Sequence, residues 1–378
     1  MKKYLQKFFL IMLLSLFLAC NLDSKTHSII LYAPNLSDTT QVYIAGDIAQ
    51  LGNWNPSAVK MKPLGNHKWV KKITPQPSAS IEYKFTLGSW QKEGLDKDGN
   101  AFSNFSINTI KLKEKTDTIY KWAKRSKKII GQITGQVKYH KKMHGEGILD
   151  RDIIVWLPPN YENDTDKNYG VIYMHDGQNI FDPATSSFGI DWQIDETCDK
   201  HIKTNKINPV IVVGIYNTAD RNADYSPGKK GDAYMNFIVG KLKPFIDKTY
   251  RTLSSREHTV IGGSSMGGLI SMMLVWEHSD VFSKAICMSP AFKIGSFNYV
   301  KTIRSYKGAK KDIKIYIDNG GVGLETQLEH GINEMIKALK EKNYLEYKDY
   351  IYIKDDDAKH NEAAWASRFP MALKFIFN

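Results

Sequence analysis

From about residue 130 onward, apolar residues arrive in unbroken runs. They are "DIIVWLP", "YGVIYMHD", "NPVIVVGIYN", "HTVIGGSS", "SKAICMSP", "IKIYIDNG" and "DYIYIKD". Between them lie longer stretches with apolar positions three and four apart, over 232–249, 266–278 and 325–342. Continuous rather than alternating hydrophobicity predicts strands buried on both faces. Strand–helix alternation predicts an α/β domain over 130–378, a mostly parallel sheet flanked by helices, with functional residues at the carboxyl ends of strands. Residues 27–110 follow a different rule. Short aromatic and β-branched runs such as "QVYIAG", "KWVKKI" and "IEYKFTL" are separated by Gly, Pro, Asn and Asp. This predicts a small all-β sandwich domain in front of the α/β domain.

The first twenty residues belong to neither part. Lys2, Lys3 and Lys7 precede an apolar run from Phe8 to Ala19, too short for a comfortable membrane span. The ending Leu18-Ala19-Cys20 resembles a bacterial lipoprotein signal, which implies an exported chain lipidated at Cys20 and held on a membrane. The net charge of +12 is concentrated locally: residues 111–142 carry eleven Lys and Arg against Glu114 and Asp117. The stretch 111–129 therefore reads as a solvated basic linker. No nucleic-acid-binding pattern accompanies it, so no nucleic-acid partner is expected. Cys198 and Cys287 lie in helix-like and strand-like stretches and read as two buried free thiols.

Chemistry concentrates in "GGSSMGG", between the strand "HTVI" and an apolar helix. Gly263-Ser264-Ser265-Met266-Gly267 is Gly-x-Ser-x-Gly in strand–turn–helix context, a nucleophile elbow. The register selects Ser265 over Ser264. A serine needs a base, and the chain order nucleophile, acid, histidine of α/β-hydrolases leaves His278, His330 and His360. His278 ends the elbow helix and His330 lies inside a helical pattern. His360 lies in a loop between the last strand and the last helix, where the base belongs. The acid that orients it should follow "IKIYI", which leaves Asp318 and Glu325 both open; Asp355, Asp356 and Asp357 follow the next strand, a less usual place. One oxyanion donor is expected from the Met266 N–H, the other from the loop after "VIYMHD". His175 and Asp176 lack the three or four converging ligands of a metal site, so no metal and no cofactor are expected.

Taken together, "YMHDGQNIFDP", "DWQIDE", "GGSSMGG", "YIDNGG" and "AKHNEAAW" resemble an esterase family. It contains feruloyl and acetyl-xylan esterases, S-formylglutathione hydrolases and siderophore (enterochelin-type) esterases. The resemblance covers residues 130–376. It implies Glu325 as the acid with Asp318 as the alternative, Gly177 or Gln178 as the second oxyanion donor, and Arg221 and Tyr225 beside the pocket. Trp192 matches the family as well. In front, "IAQLGNWNP", "IEYKF" and "GSWQKEG" resemble a starch-binding-type module. That resemblance implies Trp54, Lys84, Trp90, Glu93 and Asn104 as carbohydrate contacts, indole faces stacking on sugar rings. The leading expectation is a serine ester hydrolase acting on acylated polysaccharide or oligosaccharide. The alternatives are a siderophore tri-ester hydrolase and a non-catalytic glycan-binding lipoprotein.

Overall fold

A computed structural model of the chain describes residues 25–377 except 53, 76, 78–80, 100, 101, 103, 124–130, 188, 295 and 296. Cys20 and the signal-like segment lie outside the described residues, as does most of the basic run "KWAKRSKK".

The front domain contains β1 (His27–Tyr32), β2 (Tyr43–Gly46), β3 (Val59–Lys60), β4 (Lys62–Gly65), β5 (Lys68–Ile73) and β6 (Ile81–Thr86). It continues through β7 (Gly94–Leu95), β8 (Phe105–Ile107), β9 (Glu114–Thr118) and β10 (Lys121–Trp122). Two four-stranded sheets, ordered β4-β5-β1-β9 and β3-β2-β6-β8, enclose Ile29, Leu31, Trp69, Tyr83, Phe85 and Ile107. Burial alternates residue by residue along β1, as one-faced strands require. The sandwich extends beyond the expected boundary at residue 110. β9 pairs in parallel with β1, and β10 pairs with β7, inside the segment read as linker. Its lysines hid the pattern: in "EKTDTI" the inward positions are Asp117 and Ile119, and Asp117 is buried because it accepts the Tyr83 hydroxyl at 2.6 Å.

The second domain is built on an eight-stranded sheet. Its strands are β11 (Gln136–Met143), β12 (Arg151–Leu157), β13 (Gly170–His175), β14 (Val210–Ile215), β15 (Thr259–Ser264) and β16 (Lys284–Met288). After the small hairpin β17 (Lys293–Ile294) and β18 (Phe297–Asn298), β19 (Lys314–Val322) and β20 (Tyr350–Lys359) complete it. The order is β11-β12-β14-β13-β15-β16-β19-β20. From β14 to β20 all neighbours are parallel, and β12 and β11 close one edge antiparallel. Alternate residues of the central strands feed two cores. Ile153, Val155, Tyr173 and Val213 meet the helix Met266–Glu277 on one face. Ile154, Ile172, Val212 and Ile286 meet Trp365, Phe369 and Leu373 of the last helix, Glu362–Phe377, on the other. This is why those strands read as unbroken apolar runs. The expected helix 232–249 is Lys229–Phe237 and Lys243–Thr249 joined by a π-helical turn, Ile238–Leu242.

One buried ion pair ties the antiparallel edge to the loops above the sheet. Arg151, at the start of β12, donates to Asp224 at 3.0 Å with both side chains fully buried. Asp224 ends the short helix Arg221–Asp224 that follows β14. Removing one partner leaves a stranded charge. Arg151→Met should cost about 3–5 kcal/mol of unfolding free energy in urea titrations, and the double substitution Arg151→Met/Asp224→Leu should recover most of it.

Candidate active site

Ser265 stands in the turn between β15 and the helix Met266–Glu277, with φ 58° and ψ −120°. Few non-glycine residues adopt that conformation, and here the turn is fixed from both sides. The Ser265 N–H donates to the Met288 carbonyl at 2.9 Å, and its own carbonyl accepts from the Ala291 N–H at 3.0 Å. A Cβ at residue 263 would lie 2.8 Å from the Gly267 carbonyl carbon, so the elbow closes only around glycine. Ser264 is buried in the strand, whereas Ser265 is half-buried at its tip.

His360 follows the end of β20 and immediately precedes the last helix. The Asn361 side chain caps that helix by accepting the Ala364 N–H at 3.0 Å, which fixes the backbone beside His360. The His360 ring stands edge-on to Trp365, with centroids 5.0 Å apart, and Trp365 packs in turn on the fully buried Trp192. His360 Nδ1 lies 3.3 Å from Glu325 Oε1. This is longer than an ideal charge-assisted hydrogen bond, and such contacts tighten when substrate binds. Glu325 is fully buried in the first turn of the helix Leu324–Glu341. Burial works to raise its pKa, but the histidine and the Ser289 hydroxyl outweigh it and hold the carboxyl below its usual range.

Asp318, the other candidate acid, is occupied elsewhere. It is ion-paired with Arg368, whose terminal nitrogen donates to it at 3.2 Å, and it accepts from the Ser289 N–H at 3.0 Å and from the Tyr316 hydroxyl at 3.1 Å. The other two histidines stand apart from this group. His278 caps the carboxyl end of the elbow helix, and His330 pairs on the surface with Glu334 at 3.4 Å. Three residues whose roles sequence reasoning missed, Ser289, Trp365 and Arg368, surround Glu325 and Asp318. Trp365 lay inside a quoted motif. Nothing local in "SKAICMSP" or "ASRF" marks Ser289 or Arg368.

The loop after β13 forms the opposite side of the site. Asp176 adopts a left-handed conformation, φ 59°, and its carboxylate accepts two bonds from Arg221, each 2.7 Å, and one from Asn217 at 2.6 Å. Burial raises the Asp176 pKa, but Arg221 and Asn217 outweigh it and keep the carboxylate ionised. A Cβ at residue 177 would lie 2.5 Å from the Gly214 backbone, so glycine lets this loop sit directly on β14. Gln178 holds the same loop through its side chain, which accepts the Asn217 N–H at 3.1 Å. Tyr225 is buried beneath Arg221, its hydroxyl accepting the Asp176 N–H at 3.3 Å. His175 Nδ1 lies 2.8 Å from the Tyr234 hydroxyl, and burial drives its pKa down to about 3. It is a neutral structural residue. Cys198 and Cys287 are free and buried, and burial pushes both thiols well up. Among the described residues, Asp191, Asp195 and Glu196 form one carboxylate group within 4.8 Å. Burial first, and the neighbouring Glu196, raise Asp195 to about 9, so this group carries a proton at neutral pH.

In the front domain Trp54 and Trp90 come together, ring centroids 6.5 Å apart and planes 38° apart. Lys84 and Glu93 form an ion pair of 3.2 Å, and Glu93 is buried, so its carboxylate is a support for Lys84 rather than a surface group. Asn104 donates to Glu82 at 2.8 Å. The Lys84 charge also acts on Glu362, two residues past His360. Burial raises Glu362 to about 7, Asp176 adds to that, and Lys84 and Arg221 oppose it.

Both domains are similar to known proteins. Residues 29–93 match the starch binding domain family. The uncharacterized protein YjcH of Bacillus subtilis (strain 168) is 26% identical over 250 residues, 64% of this chain and 97% of its own. Among solved structures, a ferulic acid esterase matches at TM-score 0.54 and 20% identity, over 65% of this chain and 98% of that one. An enterobactin esterase from Shigella flexneri matches at TM-score 0.52 and 10% identity, over 92% of both chains. These two show a shared fold. Residues 149–376, well over half of the chain, match the family described as "Putative esterase", and the chain belongs to that esterase family.

Proposed function

We propose that the protein is an exported serine carboxylic-ester hydrolase that acts through an acyl-enzyme on acyl esters of carbohydrates, of acetyl or feruloyl type. The observations that carry the reaction are a strained, half-buried Ser265 at the carboxyl end of β15 and, past the ends of β19 and β20 in the same parallel sheet, a His360–Glu325 contact of 3.3 Å. Ser265 Oγ attacks the ester carbonyl while His360 takes its proton, and Glu325 holds the imidazole and stabilises its charged form. The N–H of Met266 and that of Gly177 or Gln178 stabilise the developing oxyanion. His360 then returns the proton to the leaving alkoxide. Water, deprotonated by the same residue, releases the acid and frees Ser265.

The carbohydrate part of the proposal draws on the starch-binding match and the paired rings of Trp54 and Trp90. Hydrolysis of a siderophore tri-ester is the second reading, favoured by the enterobactin esterase likeness, which spans both domains. Export and lipidation at Cys20 rest on the signal-like first twenty residues.

Three experiments test these statements. A fluorophosphonate should label wild type and Ser264→Ala but not Ser265→Ala. In the same series Glu325→Gln should lower kcat by about 10³- to 10⁴-fold with little change in thermal midpoint, whereas Asp318→Asn should lose more stability than activity per folded molecule. Labelling of Ser265→Ala, or full activity of Glu325→Gln, refutes the triad. On substrates, feruloyl-arabinose and acetylated xylan should be cleaved faster than a catecholate tri-lactone. Trp54→Ala/Trp90→Ala should raise KM on the polymer alone; the reverse ranking supports the siderophore reading. Finally, the wild-type chain expressed in a bacterium should fractionate with membranes and Cys20→Ser should not. Identical fractionation of the two removes the anchor.

A further inference from the structure

We propose that Ser289 is a positioning residue for the catalytic acid, aimed by Trp365 and by an Arg368–Asp318 pair so that its hydroxyl always donates to Glu325. The inference rests on the Ser265–His360–Glu325 reading and extends it to residues that never touch substrate.

The geometry leaves the Ser289 hydroxyl one orientation. Its oxygen lies 3.0 Å from Trp365 Nε1, 2.9 Å from an Arg368 terminal nitrogen and 2.7 Å from Glu325 Oε1. An indole N–H and a guanidinium only donate. They take both lone pairs of the hydroxyl, and its single hydrogen has one acceptor left, Glu325 Oε1. That oxygen is the one facing His360 Nδ1. The hydroxyl thus fixes which carboxylate oxygen the imidazole meets, and favours the ionised form on that side.

The elements behind Ser289 are built to the same end. Ser289 has φ 42°, a conformation that costs energy for a residue with a side chain. It is held there by its N–H, which donates to both the carbonyl and the carboxylate of Asp318, each at 3.0 Å. Asp318 also grips Arg368, through Nε at 3.0 Å and a terminal nitrogen at 3.2 Å. The same Arg368 terminal nitrogen stays 3.9 Å from Glu325 Oε1, so the arginine reaches the acid chiefly through the serine. Asp318 therefore acts at a distance: it orients Arg368, which orients Ser289, which orients Glu325. Trp365 joins the two halves, since the indole that donates to Ser289 also packs on the His360 ring. Ser289 directly follows Met288, whose carbonyl holds the Ser265 N–H, so nucleophile and acid are referenced to consecutive residues of β16 and its end.

The test is Ser289→Ala in the full chain, assayed on p-nitrophenyl acetate and by the rate of fluorophosphonate labelling. A mispositioned acid should lower kcat and the labelling rate together by about 10- to 100-fold. KM should stay within about twofold of wild type, with a folded far-UV spectrum. Trp365→Phe, which removes one of the two donors that aim the hydroxyl, should move kcat in the same direction by less. Wild-type kcat in Ser289→Ala, or a thermal midpoint that falls while kcat holds, overturns the proposal. Should Ser289→Ala not fold, an unchanged kcat in Trp365→Phe overturns it equally. Ser265→Ala runs alongside: if it still labels, the triad reading itself has failed, whatever Ser289 does.

Discussion

A serine at φ 58° and ψ −120° sits in a conformation that costs on the order of 1–3 kcal/mol, and the surrounding chain must hold it there. That constraint organises the domain. The strand before Ser265 is buried on both faces, and the helix after it is buried almost all round. Neither element can relax to relieve the turn. The neighbouring strand β16 ends where its last carbonyl captures the Ser265 N–H. The residues that would stabilise charge during ester cleavage then approach from both sides of β15: the Asp176–Gln178 loop from β13, and the acid and base from β19 and β20.

Most of this frame was legible in the sequence because it depends on local order. Unbroken apolar runs mark strands that face two cores, and the seven quoted runs correspond to β12–β16, β19 and β20. The strand β11, "QVKYHKKM", was not marked: it is an edge strand with five of its eight residues exposed, so it carries charge where the inner strands carry valine and isoleucine. β9 was hidden for a similar reason. At the site, chain order led to His360 and placed two carboxylates, Asp318 and Glu325, behind the same strand. What separates them is three-dimensional. Arg368, fifty residues beyond Asp318, occupies one carboxylate and leaves the other facing the histidine. The roles of Ser289 and Arg368 exist only once β16, β19 and the last helix are packed together.

The front domain changes in meaning once its residues are placed. Trp54 and Trp90 form a paired aromatic surface, while Glu93 turns inward to hold Lys84. That ion pair serves the module's own architecture. Its rings remain the part suited to a sugar.

The strands β19 and β20 overrun their neighbours, still paired at Val322 and Lys359. Glu325 lies three residues beyond one of these ends and His360 one residue beyond the other. The projecting ribbon thus carries both Glu325 and His360 at its end. If it frays, both are lost in a single cooperative opening, while the elbow serine stays locked in the core.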